Sequence, residues 1–214
     1  VSIVTGDTKV VPRGACDKIF INTTGVGTVF AAPPPSGHNA RPGDAVLVSG
    51  ALGDHGLTVM GSREGLSFLN DVASDSAPLN HMIADIIAAA GQVHVLRDPT
   101  RGGLATTLNE IAEQSQVGIE LDEASIPVHE SVRGGCSFLG LDPLYLANEG
   151  KCICILPEDR AETALAAMRR SPYGLEAARV GTVTAGKAQV TLTTRIGGRR
   201  LLGMLEGAQL PRIC

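Results

Sequence analysis

The chain has 214 residues, 43% of them apolar and 19% charged, which suits one or two globular domains and excludes a disordered chain. Its 18 basic and 22 acidic residues are mixed along the sequence, so no basic stripe is present to bind nucleic acid. No apolar stretch approaches the roughly 20 residues that cross a membrane, no signal peptide opens the chain, and the five cysteines do not suit a disulfide scaffold, so we expect a cytoplasmic protein.

Residues 1–32 predict a β-hairpin, with strands at 1–11 and 18–29 joined by a turn at 12–17. The chain begins with Val1, already inside a β-branched run, so we expect residues to be missing upstream. Because an isolated hairpin is only marginally stable in water, we expect it to pair with a further sheet from those residues or from a second subunit. The prolines and glycine of residues 33–43 predict a stiff linker.

Residues 44–202 predict an α/β domain, with a mixed sheet and helices. A strand at 45–49 precedes a helix at 51–60, and the clearest helix begins at Leu79, because apolar residues recur at helical spacing up to Gly91. The remaining predicted elements are a strand at 93–96, a helix opening at 98–99, strands at 118–121, 151–156, 178–183 and 189–196, a return at 201–202, and a helix at 158–170. We expect residues 203–214 to form a flexible tail.

The first motif with chemical potential is Gly6-Asp7-Thr8-Lys9. On a strand, the Asp7 carboxylate and the Lys9 ammonium point to one face. This pair suits phosphate chemistry, in which an aspartate holds Mg²⁺ and a lysine neutralises the transferring phosphoryl oxygens. The alternative is a surface ion pair at the end of a strand.

Two glycine-rich junctions between a strand and a helix form the second motif. In the segment 98–104, the sequence predicts Asp98 as helix N-cap, Pro99 at the first helical position, and Gly102 and Gly103 in the first turn, which leaves amide donors exposed for an anion. The segment 50–56 offers the same arrangement. The alternative for both is helix capping with close helix packing.

Asn148-Glu149-Gly150 lies between a helical stretch at 143–147 and a strand, and such ends of elements often display functional side chains. Glu149 is therefore a candidate general base. The alternative is ordinary turn chemistry.

The cysteines suggest two further sites. Cys152 and Cys154 face the same side of a strand and, with Cys136, form a candidate redox or metal site, for which burial in a core is the alternative. Cys214 is the last residue and follows Pro211, which predicts an exposed thiol on a mobile backbone. The alternative is an incidental free thiol.

Together, GDTKVV, DPTRGGL, NEGK and the terminal PRIC resemble the HypE family of hydrogenase maturation proteins, within the PurM-like (aminoimidazole ribonucleotide synthetase-like) superfamily. The resemblance runs over the whole chain, and the terminal cysteine is its most discriminating element. It implies a PurM-like C-terminal domain at 44–202, with residues 1–32 as the remnant hairpin of an N-terminal ATP-binding domain. Members of the family are longer, so the resemblance also implies an N-terminal truncation.

The resemblance further implies a reaction and partners. A carbamoyltransferase, HypF, loads a carbamoyl group on Cys214, and ATP-dependent dehydration converts it to a thiocyanate. The cyano group then passes to iron on a scaffold of HypC and HypD, and the enzyme is a homodimer. The alternative is a non-catalytic carrier that presents the cysteine tail to partner proteins.

Carried onto this sequence, the resemblance implies that Lys9 stabilises the transferring phosphoryl group, that Asp7 holds Mg²⁺ and that Glu149 removes an N–H proton. The residues implied to support the nucleotide or the tail are Gly6, Asp98, Arg101, Gly102 and Gly103.

Overall fold

The structure, a computed structural model, describes residues 2–16, 18–65 and 72–205. The chain divides into two units, Val1–Phe30 and Ala31–Cys214. In the described part of the first unit, a turn forms in which the Ala15 amide donates to the Pro12 carbonyl at 3.0 Å, but neither predicted strand forms a ladder. The prediction of two paired strands is therefore wrong for the chain by itself. The large apolar side chains of this unit are exposed, among them Ile3, Phe20 and Ile21.

The second unit is built on one mixed sheet of seven strands, in the order β2-β4-β1-β5-β3-β6-β7. All neighbours are antiparallel except β3 and β6, which are parallel. The strands are β1 (Asp44–Val48), β2 (Val95–Arg97), β3 (Gly118–Asp122), β4 (Ile153–Pro157), β5 (Ala178–Thr184), β6 (Gln189–Thr193) and β7 (Arg199–Leu202).

Helices cover both faces of this sheet. They are α1 (Asp54–Glu64), α2 (Asn80–Ala90), α3 (Gly103–Ser115), α4 (Glu130–Leu139) and α5 (Ala161–Arg169), with 3₁₀ turns at Pro143–Tyr145 and Glu158–Arg160. Strand β1 alternates between the two faces: Val46 and Val48 belong to the core with α3, while Ala45 and Leu47 belong to the core with α2 and α5. The sheet is thus buried on both sides at β1, and the α/β class is confirmed.

Several predicted elements differ in their limits. Helix α2 is confirmed, and it ends at Gly91, whose φ of 72° stops the helix. The helix predicted to open at residues 98–99 begins instead at Gly103, and the helix predicted over 158–170 is a 3₁₀ turn followed by α5. Helix α4 was not predicted, because its sequence carries two adjacent glycines and a short apolar stripe.

The segment 33–43, predicted as a linker, is part of the second unit and is hydrogen-bonded within it. The Ser36 amide donates to His94 O at 2.9 Å, and the Gly43 amide donates to Val183 O at 2.8 Å. The Ser115 hydroxyl donates to Gly37 O at 2.6 Å. Within the described residues, no helix has the length and apolar character needed to span a membrane.

Candidate active site

Asn148 joins the glycine-rich junctions and the Asn-Glu-Gly turn. Its side chain is buried; Oδ1 accepts from the Gly53 amide at 2.8 Å, and Nδ2 donates to the carbonyls of Pro99 at 3.1 Å and Leu146 at 2.9 Å. The Thr100 hydroxyl also donates to the Asn148 carbonyl at 3.1 Å. Segments that are about fifty residues apart in the sequence therefore meet at one amide side chain, which the sequence pattern did not single out for this role.

Glu149 lies next to this amide and is exposed. Its backbone amide donates to Asp75 Oδ1 at 3.0 Å, and the Gly150 amide donates to the same oxygen at 3.3 Å. A Cβ at position 150 would overlap the Asp75 carbonyl oxygen, so only glycine fits beneath this loop. The Glu149 carboxylate makes no hydrogen bond or ion pair with any residue in the described ranges, which leaves it available to a substrate.

The start of α3 lies against the same region. Gly102 and Gly103 both have a positive φ, 68° and 62°, and a Cβ at position 103 would lie 2.7 Å from the Leu146 carbonyl oxygen. Because the helix begins at Gly103 and Gly102 is its N-cap residue, Asp98 does not cap it, and that prediction is wrong. Asp98 and Arg101 are both exposed on the preceding loop. The Arg101 guanidinium and the uncapped helix start form a donor set that suits phosphate or carboxylate oxygens.

The described part of the tail begins beside this helix start. The Tyr145 hydroxyl donates to the Gly203 carbonyl at 3.1 Å, and the Leu205 amide donates to the Thr106 hydroxyl at 3.3 Å. The first residues of the predicted tail are therefore bonded to the second unit. Cys214 lies outside the described residues.

The junction at 50–56 is explained by packing rather than by anion binding. Gly53 caps α1 with a φ of 93°, and its amide is taken by Asn148. The Gly56 amide donates to the Ala147 carbonyl at 3.0 Å. The first helical residue, Asp54, places a buried carboxyl at the helix start, where an anionic ligand would be repelled.

Asp54 also takes part in a cluster that sequence reasoning missed. His129 Nδ1 lies 2.9 Å from Asp54 Oδ1, and its Nε2 lies 3.0 Å from Glu176 Oε2. The hydrogen bond to Asp54 raises the pKa of His129, and burial raises the pKa of the Asp54 carboxyl. Both shifts favour retention of a proton by the pair. No signal in the sequence connects these residues, which are 47 and 75 positions apart.

A cavity of about 440 Å³ lies beside the turn. It is lined by Asp75, Lys151 and Glu176, with the hydroxyl side chains of Ser74 and Ser76. The Lys151 ammonium has no ion-pair partner among the residues that the structure describes. Glu149 and Lys151 are one and three positions after Asn148, so one buried amide anchors the start of a short charged segment.

The candidate cysteine site does not form. Cys152 and Cys154 are buried in the core with α2 and α5, whereas Cys136 is buried in a separate cluster with α1 and α4. Burial raises the pKa of Cys136 to about 11 and that of Cys152 to about 11. These thiols are therefore structural, and the redox or metal hypothesis is wrong for them.

Gly6, Asp7 and Lys9 belong to the first unit, where all three are exposed. They do not lie on a strand, and Asp7 and Lys9 do not form an ion pair in the described ranges, so the surface-pair alternative is also absent there. No group of three His, Cys, Asp or Glu among the described residues could hold a metal ion. One carboxylate does not make a magnesium site, so the described residues do not by themselves fit Mg²⁺.

Comparison with known proteins identifies the fold and its family. Residues 41–193 match the family described as AIR synthase related protein, C-terminal domain. A crystal structure of hydrogenase maturation protein HypE is 63% identical and superposes with a TM-score of 0.95, covering 99% of this chain and 68% of that one. The chain belongs to the HypE family.

Relatives of this HypE-family chain include enzymes and complexes. Carbamoyl dehydratase HypE of Azotobacter vinelandii is 55% identical over 215 residues, and that of Cupriavidus necator is 54% identical, each covering 100% of this chain. A HypE structure in complex with ATP has a TM-score of 0.94 at 63% identity, covering 99% of this chain and 65% of that one. A structure of a HypE-HypF complex has a TM-score of 0.77 at 45% identity, covering 80% and 56%.

The chain spans 63% of the length of the Azotobacter relative and 61% of the Cupriavidus one. The resemblance based on the four motifs is confirmed. The PurM-like assignment of the second unit is confirmed as well, since the matched residues 41–193 contain six of its seven strands and all five of its helices.

Proposed function

We propose that this chain acts in hydrogenase maturation as an ATP-dependent dehydratase of a carbamoyl group carried on Cys214. The observation that carries the proposal is the geometry of Glu149. Its carboxylate is exposed and has no described partner, while its backbone is held by Asp75 on one side and by the buried Asn148 on the other. This is the arrangement expected of a general base, a free carboxylate on a rigid support. Homologues named carbamoyl dehydratase support the substrate class.

The proposed reaction begins with Cys–S–C(=O)–NH₂ and ends with Cys–S–C≡N. ATP supplies the driving force, because phosphorylation of the carbamoyl oxygen makes that oxygen a leaving group, and the products are ADP and phosphate. Transfer of the phosphoryl group to the carbamoyl oxygen, with loss of one nitrogen proton to solvent, replaces the C=O π bond by a C=N π bond. Loss of the second nitrogen proton then breaks the remaining C–O bond, releases phosphate and forms the second C–N π bond. Glu149 accepts a nitrogen proton at its carboxylate.

The other predicted residues would stabilise negative charge on the phosphoryl group, on the nucleotide phosphates or on the tail carboxylate. Lys9 neutralises the oxygens of the transferring phosphoryl group, since that group carries negative charge throughout the transfer. Arg101 and the amides at the start of α3, beside Gly102 and Gly103, bind phosphate or the terminal carboxylate of the tail. Gly6 and Asp98 are predicted to support the nucleotide or the tail. Asp7 stays a predicted ligand of Mg²⁺, and no step is assigned to the ion.

The partners follow from the same chemistry. A HypE-HypF complex is known for a relative, and we propose that HypF loads the carbamoyl group on Cys214 here. The thiocyanate then passes its cyano group to reduced iron on HypC and HypD, which supplies the two electrons that release Cys214 as a thiolate and leave cyanide on the iron. The exposed apolar side chains of the first unit support a homodimer in which this segment finds its partner sheet. The site of action is the cytoplasm, where the tail thiol stays reduced.

The proposal is tested by the mass of the C-terminal peptide after incubation of the full chain with HypF, carbamoyl phosphate and ATP. We expect the gain of one carbamoyl group on Cys214, followed by the loss of one water. The variant Glu149→Gln has nearly the same size and removes no described side-chain contact, so it should load the carbamoyl group and retain it. Cys214→Ala should not load.

The outcomes separate the alternatives. A carbamoyl gain that persists in the unchanged chain would support the carrier alternative, in which the tail is presented but not dehydrated. Loss of water at an undiminished rate in Glu149→Gln would exclude Glu149 as the base. If Cys214→Ala still loads, another cysteine is the acceptor.

A further inference from the structure

We propose that Asp75 is a positioning residue that holds the backbone of Glu149 in its working place. The inference rests on the proposed function, in which Glu149 removes a proton from the carbamoyl nitrogen. Asp75 Oδ1 accepts from two consecutive amides, those of Glu149 and Gly150, at 3.0 and 3.3 Å. One carboxylate oxygen therefore fixes two successive peptide planes, and with them the direction in which the Glu149 side chain leaves the backbone.

The loop that carries Asp75 lies in direct contact with the turn. A Cβ at position 150 would overlap the Asp75 carbonyl oxygen and would lie 2.8 Å from the Ala77 amide nitrogen. The same loop is bonded to α1 at two points: His55 Nδ1 and Ser74 Oγ are 2.8 Å apart, and the Thr58 hydroxyl donates to Val72 O at 2.9 Å. The loop that carries Asp75 is thus anchored to α1 through Val72 and Ser74, independently of its contacts with the turn.

The two oxygens of the Asp75 carboxylate differ in their contacts, so the role of the Oδ1 acceptor can be tested separately from the role of the negative charge. Asp75 Oδ2 is buried and has no hydrogen-bond partner. A buried oxygen without a donor is unfavourable, so this atom adds nothing to the hold on the turn. The charged or titratable groups around it are Asp54, Glu149, Lys151 and Glu176. An asparagine, which keeps the Oδ1 acceptor and loses the charge, should therefore hold the turn as aspartate does.

Position matters here because the Glu149 side chain makes no contact of its own with the described residues, and Asp75 is the side chain that binds the Glu149 amide directly. Its exposed carboxylate makes no described contact, so the backbone alone determines where the base lies. A displacement of about 1 Å in a catalytic group can lower a rate roughly 100-fold. Removal of the Asp75 acceptor should therefore slow the loss of water without affecting carbamoyl loading, which occurs on the tail.

The experiment compares Asp75→Ala, Asp75→Asn and the control Asp85→Ala, which removes an exposed carboxylate from α2. The first measurement is the rate of water loss from the full chain already carbamoylated on Cys214. We expect Asp75→Ala to be about 10- to 100-fold slower, and Asp75→Asn and the control to stay within about threefold of the unchanged chain.

The second measurement is hydrogen exchange at the amides of Glu149 and Gly150, which does not depend on activity. Both amides should be protected in the unchanged chain and in Asp75→Asn, and should exchange at least about 10-fold faster in Asp75→Ala. If Asp75 only stabilised the fold, Asp75→Ala would lower the overall stability, but Asp75→Asn would not restore both the slow exchange of these two amides and the rate of water loss.

Unaltered exchange and an unaltered rate in Asp75→Ala would overturn the inference. So would an Asp75→Asn variant as slow as Asp75→Ala, since the acceptor would then not be the group that matters. If the unchanged chain retains its carbamoyl group, the proposed function fails for this chain, and the exchange measurement still decides whether Asp75 holds the turn.

Discussion

Replacement of Asn148 by alanine should be one of the most destabilising single substitutions in the second unit. The side chain is 1% exposed and makes three hydrogen bonds, one accepted from Gly53 and two donated to Pro99 and Leu146. Without it, the Gly53 amide and the Leu146 carbonyl are left buried without these partners, while Pro99 O still accepts from the backbone amide of residue 148 at 3.2 Å. At about 1–3 kcal/mol for each unpaired group, with a small cavity added, the expected loss is about 3–5 kcal/mol.

The assay is urea unfolding of the full chain, followed by circular dichroism. With a slope of about 2 kcal/mol per molar urea, the midpoint should fall by about 2 M. The matched control is Asn39→Ala, which removes one hydrogen bond to Pro34 O at a solvent-exposed site and should cost less than about 1 kcal/mol. A loss below about 1 kcal/mol for Asn148→Ala would show that the convergence of the three segments does not depend on this amide.

A second variant tests the polarity of the site. In Asn148→Asp the acceptor for Gly53 is kept, but an oxygen faces the carbonyls of Pro99 and Leu146 in place of the donor. The new carboxyl should have a raised pKa, because its charged form is buried and unpaired there. Stability should then recover as the pH falls through that pKa, since the protonated carboxyl donates one hydrogen bond. A stability that is independent of pH would contradict this account.

Three further outcomes are expected. Gly150→Ala should lower the free energy of unfolding by at least about 2 kcal/mol, because its Cβ would overlap backbone atoms. Gly134→Ala, which lies in open space within α4, should raise it by about 0.5–1 kcal/mol. Equal effects of the two substitutions on urea unfolding would contradict the close contact at Gly150. The pKa of His129 is raised in the folded chain above its ordinary value of 6.5, first by the hydrogen bond to Asp54, so its stabilising contribution is complete below 6.5 and is lost as the pH rises through the folded pKa; the difference in unfolding free energy between the unchanged chain and His129→Gln should therefore shrink over that range, and a difference that does not depend on pH would contradict this. Alkylation of the native chain should label the exposed Cys16, and it should label the buried thiols of Cys136, Cys152 and Cys154 only after urea is added. Labelling of these three thiols in the native chain would refute their burial.

Elements with a strong local pattern could be predicted from the sequence. The apolar positions of α2 recur at helical spacing, and Met82, Ile86 and Ala90 are the residues that the helix buries. The alternation of β4 likewise predicts two buried faces, and Cys152 and Cys154 lie on one of them. The family could also be predicted, because short motifs such as DPTRGGL and NEGK are local in the sequence and can be recognised without knowledge of the fold.

Motifs that depend on backbone conformation were predicted less well. The sequence Asp98-Pro99 has the composition of a helix start, yet α3 begins at Gly103. Gly102 and Gly103 adopt positive φ values because their backbone passes close to the Thr106 side chain and to the carbonyls of residues 144 and 146. A cap residue is a local preference worth about 1 kcal/mol, and the contact with a distant segment overrides it.

The site itself is decided by tertiary structure. Composition and spacing place Glu149 at the end of an element, but only the fold brings Asp75 to its amide across 74 positions of sequence, and Asn148 to Gly53 across 95. His129 likewise meets its two carboxylates only in the folded chain. Local patterns report the preferences of neighbouring residues, whereas these hydrogen bonds join segments whose separation in sequence carries no signal. The sequence therefore determined which groups are available for chemistry, and the tertiary structure decided which of them are held rigid and which are left free.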